Sequence, residues 1–307
     1  MSSLKNIAIS IGDINGVGFE IALKSHNTIK TLCNPTYCIG YDMATKAANL
    51  LGMTLPDDFK TIDLAGDFDI KIGEIDAESG LYSYDSFIYA VSLAKHKIAD
   101  AIVTLPIHKE AWSRGGIEFV GHTDALREIF SADAIMMLGC EKLFVALYSE
   151  HIPLRSVANS LTLENFSLFL KNLSKNINHK PIAVLGLNPH AGDGGVLGDE
   201  EDIITKAIES VNYELGDDIF IGPLVPDTAF TPLMRERYSV FVALYHDQGL
   251  APLKALYFDE SINISLNLPI IRTSVDHGTA FDIAYKNIAS NISYINAIKA
   301  AIDFSKS

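Results

Sequence analysis

Short apolar runs that stop abruptly, with helical stripes between them, constrain this chain more than any other feature. Residues 7–11, 101–105, 144–147, 182–186 and 240–244 have the length and the apolar content of buried strands. Between them Phe87, Ala90, Val91 and Ala94 repeat at helical spacing, as do Phe166, Phe169, Leu170 and Leu173 behind a prospective N-cap at Thr162. Ile203, Ile204, Ala207, Ile208 and Val211 form a third stripe, and the acids at 199–202 before it suit a helix N-terminus. Such alternation predicts α/β layers around a largely parallel sheet. A chain of 307 residues exceeds one small domain. With no repeat or obvious linker, two lobes would be joined by a chain that crosses between them more than once.

Histidines cluster just past the ends of those runs. His151 lies a few residues past 144–147, His190 past 182–186, and His246 directly past 240–244, in VALYHDQGLAPLK. In an open α/β sheet the carboxyl ends of the strands are where ligands bind. Three imidazoles converging there would make a metal site with open positions, a catalytic rather than a structural arrangement. The competing reading is that loop histidines are common and these three never meet.

Composition narrows the partners. Twenty-four Lys and Arg against thirty-eight Asp and Glu leave a formal charge of −14. A phosphate backbone needs a basic face, so nucleic acid is not expected as a partner. A small phosphorylated ligand needs only local positive charge. Cys33, Cys38 and Cys140 have neither zinc-finger nor disulfide-framework spacing, which points to a reducing cytoplasm. The first eighteen residues do not read as a signal peptide. No apolar stretch reaches membrane-spanning length, so no membrane partner is expected.

Gly12, Gly16 and Gly18 come after the first run without matching G-x-G-x-x-G or a P-loop. They either bring backbone amides to a phosphate or cofactor, or make a tight strand–helix turn. Thr104 and His108 close the second run, with His122 and Thr123 shortly after. These side chains offer hydrogen bonds to a polar ligand, or are ordinary surface loop. Lys254, Asn263 and Arg272 are cations and an amide among Thr, Ser and His, a set that could hold a phosphate or carboxylate. Asp227 and Asp247 are carboxylates that could orient an imidazole, neutralise a metal or move a proton.

Taken together, LGLNPHAGDGGVLGDEE, GPLVPDTAF, YHDQGLAPLK and LNLPIIRTSVDHGTAFDIA resemble the 4-hydroxythreonine-4-phosphate dehydrogenase family, NAD-dependent enzymes of pyridoxal phosphate biosynthesis. VTLPIHKEAW and GHTDALREIF are similar to the same family, and the likeness runs to about Ala284. The resemblance implies a two-lobed α/β/α sandwich like that of isocitrate and isopropylmalate dehydrogenases, rather than a classical Rossmann domain. It implies a cofactor-side lobe of residues 1–125 and 265–307, and a metal- and dimer-side lobe of residues 126–264. His151, His190 and His246 would be the metal ligands, shared across a homodimer. Zinc is the first expectation, with cobalt or magnesium as alternatives. His122, Thr123, Lys254, Asn263 and Arg272 would bind substrate, and Asp227 and Asp247 would be catalytic acids near the metal. His277, Gly278, Thr279 and Asp282 match the adenosine-side loop for NAD, with NADP as the alternative. SIGDINGVGFE departs from the family's usual Gly-Glu-Pro-Ala-Gly-Ile-Gly loop, and ALYFDESINISL lacks its usual glycines.

The expected reaction is metal-dependent oxidation of 4-phosphooxy-L-threonine, with decarboxylation of the product. Three other readings stand beside it: a dehydrogenase of another 4-phosphorylated hydroxy acid, a metal-dependent phosphoester hydrolase, and a binding protein that kept the pocket without turnover.

Overall fold

The structure, a computed structural model, describes residues 4–306. The chain divides into two compact α/β units. One comprises the chain up to Ala132 together with everything from Ile262 onward, and the other runs from Asp133 to Ser261. The fold is thus α/β, with a mixed sheet and flanking helices.

In the first unit the strands are β1 (Asn6–Ser10), β2 (Asn34–Cys38), β3 (Ala101–Thr104), β9 (Ile262–Leu266) and β10 (Arg272–Val275), in the order β2-β1-β3-β10-β9. All pairings are parallel except that of β9 with β10. The second unit holds β4 (Ile135–Cys140), β5 (Leu143–Leu147), β6 (Ile182–Leu185), β7 (Phe220–Leu224) and β8 (Val240–Ala243), in the order β4-β5-β8-β6-β7. Here only β4 runs antiparallel to its neighbour.

Strands β3, β5, β6 and β8 are buried along their whole length, which is why their sequences read as continuous apolar runs rather than alternations. Ile11, Leu105 and Leu244 lie one residue past their strands yet remain buried. The three helical stripes fall within helices Ala77–Lys95, Leu163–Ser174 and Glu201–Leu215. Thr162 caps the second of these, its side chain accepting from Asn165 N, and Glu201 and Asp202 sit in the first turn of the third. Phe87, Ala90, Val91 and Trp112 form much of the first unit's core, and the Trp112 indole donates to Ser83 Oγ at 2.7 Å.

The glycine-bearing loop after β1 is a packing device. Asp13 N donates to Pro106 O, Gly16 N to Asp13 O and Val17 N to Thr279 O, while Asn15 N donates to the Asp13 carboxylate. These amides are engaged internally, so the turn reading replaces the expectation of a phosphate-cradling loop. Gly12 adopts φ +72°, and a Cβ there would stand 2.2 Å from Pro106 O.

Asn15, buried in this loop, ties three segments together. Its amide donates to Glu74 O and Ser79 Oγ, both at 3.1 Å. Its side-chain oxygen accepts from Lys71 N at 2.9 Å, and its backbone carbonyl from Gly73 N. The irregular stretch before helix Ala77–Lys95 is therefore fastened to the end of β1. Replacing Asn15 with Ala should take their side-chain partner from Lys71 N and Glu74 O, while Ser79 Oγ keeps its bond to Asp76 O, and cost roughly 1–3 kcal/mol. Urea denaturation, with amide exchange over residues 71–79, measures this; unchanged stability would show that water substitutes for the amide.

Candidate active site

Register builds the site in the first unit. Ser10 pairs with Thr104, Thr104 with Ser274, and Ser274 with Asn263, so one row of polar side chains crosses four strands near one end of the sheet. Two residues back on β10, Arg272 pairs with Ser265, and alternation puts it on the same face as Ser274. Its guanidinium lies along that face. Nε and Nη2 donate to Thr104 Oγ1 at 3.1 and 2.8 Å, and Nη1 donates to Ser265 Oγ at 3.1 Å. Nη2 also donates to His122 Nδ1 at 3.3 Å.

Arg272 is only 4 % exposed, and among the described residues no carboxylate pairs with it. Burial pushes its pKa down to about 9, so it is still a cation at neutral pH. His122 begins helix His122–Phe130 and is held between Phe87 and Trp112, with ring centroids 4.7 and 5.4 Å away. Burial, and then the neighbouring Arg272, hold its pKa well below the ordinary histidine value. The imidazole is neutral. Since Nδ1 accepts from Arg272, the proton sits on Nε2. That Nε2 and the Asn263 Oδ1 are both buried without a protein partner among the described residues. A fixed cation, a free donor and a free acceptor on one unit suit an anionic, hydroxylated ligand. Thr123 comes directly after His122 and is half-buried.

Also in this unit, His277, Gly278, Thr279 and Asp282 lie in the segment after β10. Thr279 O receives Val17 N, and Tyr285 of the same segment donates to Ile14 O at 2.8 Å. The segment is thereby fastened to the loop after β1. Gly278 has open space where a Cβ would stand, and Asp282 is exposed. Asp13, close to His108, is fully buried with Oδ2 unpartnered, and burial pushes its pKa up to about 6.

In the second unit β5, β8 and β6 are adjacent and parallel, so the residues after their ends share one edge. His151, His246 and His190 each come after one of them. His246 is the first residue of helix His246–Tyr257 rather than a loop residue. Its Nδ1 meets Asp247 Oδ1 at 2.7 Å, which leaves Nε2 for a ligand. The His151 and His246 rings stand 5.5 Å apart. Among the described residues of one chain, however, no three His, Cys, Asp or Glu side chains gather closely enough to hold a metal ion. The donor types suit a borderline divalent ion, but a single chain brings together two imidazoles and not three. Asp227 stands exposed after β7, and Lys254 lies on helix His246–Tyr257, its ammonium 5.4 Å from the Phe258 ring centroid.

Thr104 was visible in the sequence only as a strand-end polar residue, and Ser265 gave no signal; both contact Arg272. Of the two residues that shape the His190 loop, Asn188 was visible only as part of a long family-like string, and Glu201 only as one of the acids at a helix N-terminus.

An open α/β chain with polar and imidazole groups at its strand ends, and without a dinucleotide fingerprint, belongs to the class that binds small ligands past the sheet edge. Comparison with known proteins is more particular. Residues 20–301 match the family described as pyridoxal phosphate biosynthetic protein PdxA, and the chain belongs to that family. It is 61 % identical over 296 residues to a 4-hydroxythreonine-4-phosphate dehydrogenase of Sulfurimonas denitrificans, covering 96 % of each chain. It is 54 % identical to one of Campylobacter fetus, covering 98 % of each. A crystal structure of the Klebsiella pneumoniae 4-hydroxythreonine-4-phosphate dehydrogenase superposes with a TM-score of 0.83 at 31 % identity, over 98 % of this chain and 99 % of that one.

The Asp13 carboxyl gives a pH signature. Its folded pKa is raised to about 6 from 3.8, so its contribution is fully present below the lower value and lost as pH rises through the higher one. Asp13→Asn should therefore gain stability over the wild type between about pH 4 and pH 7, by at most roughly 3 kcal/mol. Urea unfolding across that range is the measurement, and a difference that stays flat with pH would show that Asp13 ionises freely.

Proposed function

We propose that this chain is an NAD-linked, metal-dependent dehydrogenase. It oxidises 4-phosphooxy-L-threonine to 2-amino-3-oxo-4-phosphooxybutanoate, which loses carbon dioxide to give 3-amino-2-oxopropyl phosphate. The observation that carries this reading is Arg272, a buried guanidinium with no carboxylate beside it among the described residues. It belongs to a family whose relatives are named for a phosphorylated substrate.

In this reading Arg272 binds the substrate phosphate, Lys254 is likewise assigned to the substrate, and His122 Nε2–H, Thr123 and Asn263 fix the orientation of the remaining polar groups. His122 serves as a donor because it stays neutral and keeps its proton on Nε2. His151, His190 and His246 hold a divalent cation, zinc before cobalt or magnesium. When bound, that cation supplies Lewis acidity, which eases proton loss from the substrate hydroxyl and favours decarboxylation. NAD, or NADP as the alternative, supplies the hydride acceptor. His277, Gly278, Thr279 and Asp282 are assigned to its adenosine side. Asp247 steadies His246 through Nδ1, and Asp227 is assigned to proton movement.

A homodimer with a shared metal site belongs to the same proposal. Two imidazoles come together in one chain, and Ile152, Leu154, Val196 and Leu197, neighbours in sequence of His151 and His190, are exposed apolar side chains. A second copy would cover them. The three cysteines are buried free thiols, which suits the cytoplasm.

Substrate and NAD together should yield NADH, and phosphate release without NADH would identify a hydrolase instead. Exhaustive chelation should abolish turnover; full activity without metal would remove the cation from the reading.

Lys254→Ala should lower kcat/KM by about one to two orders of magnitude, the loss of one charge-assisted contact, with NAD affinity little changed. Equal losses on phosphorylated and unphosphorylated substrates would place Lys254 elsewhere than on the phosphate.

A further inference from the structure

We propose that Glu201 is the positioning residue for His190, and that the chain's affinity for a divalent metal ion depends on its carboxylate. The inference rests on His190 being a metal ligand, the role assigned to it under Proposed function.

The loop between β6 and helix Glu201–Leu215 has an unfavourable backbone. His190, Ala191, Gly192, Asp193 and Gly194 have φ of 53, 52, 78, 45 and 64°, five consecutive residues in the left-handed region. Three of them carry a Cβ, which the left-handed conformation brings too close to the following carbonyl oxygen. Such a run persists only where its surroundings hold it.

The Glu201 carboxylate does the holding. Oε1 accepts Leu187 N at 2.8 Å and Asn188 N at 2.7 Å, and Oε2 accepts Asn188 Nδ2 at 2.9 Å. Asn188 Nδ2 also donates to Glu200 at 2.7 Å. Glu201 is 8 % exposed, and among the described residues it pairs with no Lys, Arg or His. Its charge is met by N–H dipoles and by the N-terminus of its own helix, which favours an anion at that position.

The loop closes down on this group. A Cβ on Gly192 would stand 2.8 Å from Glu201 Oε2, and one on Gly198 would stand 2.2 Å from Asn188 Nδ2. Leu197 N returns to Gly192 O and Ala191 N to Asn188 O, so the turn is sealed on both sides of His190. The two residues immediately before Pro189-His190 are the ones whose amides Glu201 holds. Displacing them would swing the imidazole, and an ångström of displacement matters for coordination.

Glu201→Gln keeps the size of the side chain but presents an N–H where only acceptors fit. Asn188→Ala removes one of the three donors without leaving an amide opposed, and serves as the milder variant. The full-length protein, stripped of metal, is titrated with Zn²⁺ and with Co²⁺ against a chromophoric chelator. The Co²⁺ ligand-field spectrum and the amide exchange of residues 187–198 are recorded alongside. Glu201→Gln should weaken metal binding about 10–100-fold, the usual loss when a ligand's supporting partner is removed. Its Co²⁺ spectrum should change and its loop should exchange faster, with far-ultraviolet dichroism retained. Asn188→Ala should move the same way by several-fold.

His190→Ala separates the ligand from its support. If His190→Ala weakens binding while Glu201→Gln and Asn188→Ala bind as the wild type does, Glu201 only stabilises the loop and the inference is overturned. If His190→Ala itself binds metal like the wild type, His190 is no ligand, and the metal assignment falls first and takes this inference with it.

Discussion

The buried guanidinium of Arg272 is the group on which the first unit's architecture depends. An ion away from water is costly unless it is paired or surrounded by oriented dipoles. Among the described residues no carboxylate answers it, and the response is built from Thr104 on β3, Ser265 on β9 and the His122 imidazole. Thr104 and His122, 168 and 150 residues away in sequence, must therefore meet the β9–β10 pair at one point. A one-residue slip of β3 or β9 against β10 would turn Thr104 or Ser265 to the opposite face, so the charge fixes the register. Burial first, and then the same charge, keep His122 neutral, since a protonated imidazole would be desolvated and would set two cations in contact. Phe87 and Trp112 then hold the ring in place, which ties the hydrophobic core to the polar row.

Much of the fold was legible because its strands are buried on both faces. Residues 101–105, 144–147, 182–186 and 240–244 announce themselves as unbroken apolar runs, and Thr162 announces the start of its helix. Helix His246–Tyr257 was not legible. Gly249 and Pro252 look like breakers, and YHDQG reads as a loop. The structure explains the glycine: a Cβ there would stand 2.3 Å from Val145 and 2.8 Å from Ala243, so its absence lets the helix lie directly on β5 and β8. Asn15 was hidden for a different reason. Its partners at 71, 74 and 79 are some sixty residues away, and nothing in SIGDINGVGFE indicates them.

The site divides in the same manner. Strand-end placement of His151, His190 and His246 could be read from local pattern, because a parallel sheet delivers successive strand ends to one edge. The backbone through His190 could not. Glycine at 192 and 194 hints at unusual φ, but His190, Ala191 and Asp193 share that conformation without advertising it. The Glu201 carboxylate accepts from Leu187 and Asn188 just before this stretch, and those bonds become visible only once the helix that begins there is in place.

A chain of net charge −14 that receives a phosphorylated substrate, as proposed here, sets a global repulsion against a local attraction. The two act over different distances. Solvent-exposed charges are largely screened beyond about 8 Å at physiological ionic strength, so most of the acidic surface contributes little at the site. A buried cation is screened far less: at an effective dielectric near 20 rather than 80, its pull is roughly four times stronger at equal distance. The short-range term therefore wins, and burial is what makes it win. Burial also sets selectivity, because a neutral analogue that displaced water without bringing charge would leave the guanidinium uncompensated, whereas an anion relieves that cost as it binds. On this account an acidic protein needs no basic surface to take an anionic metabolite. It needs one desolvated cation, held where only the anionic end of the ligand can reach it.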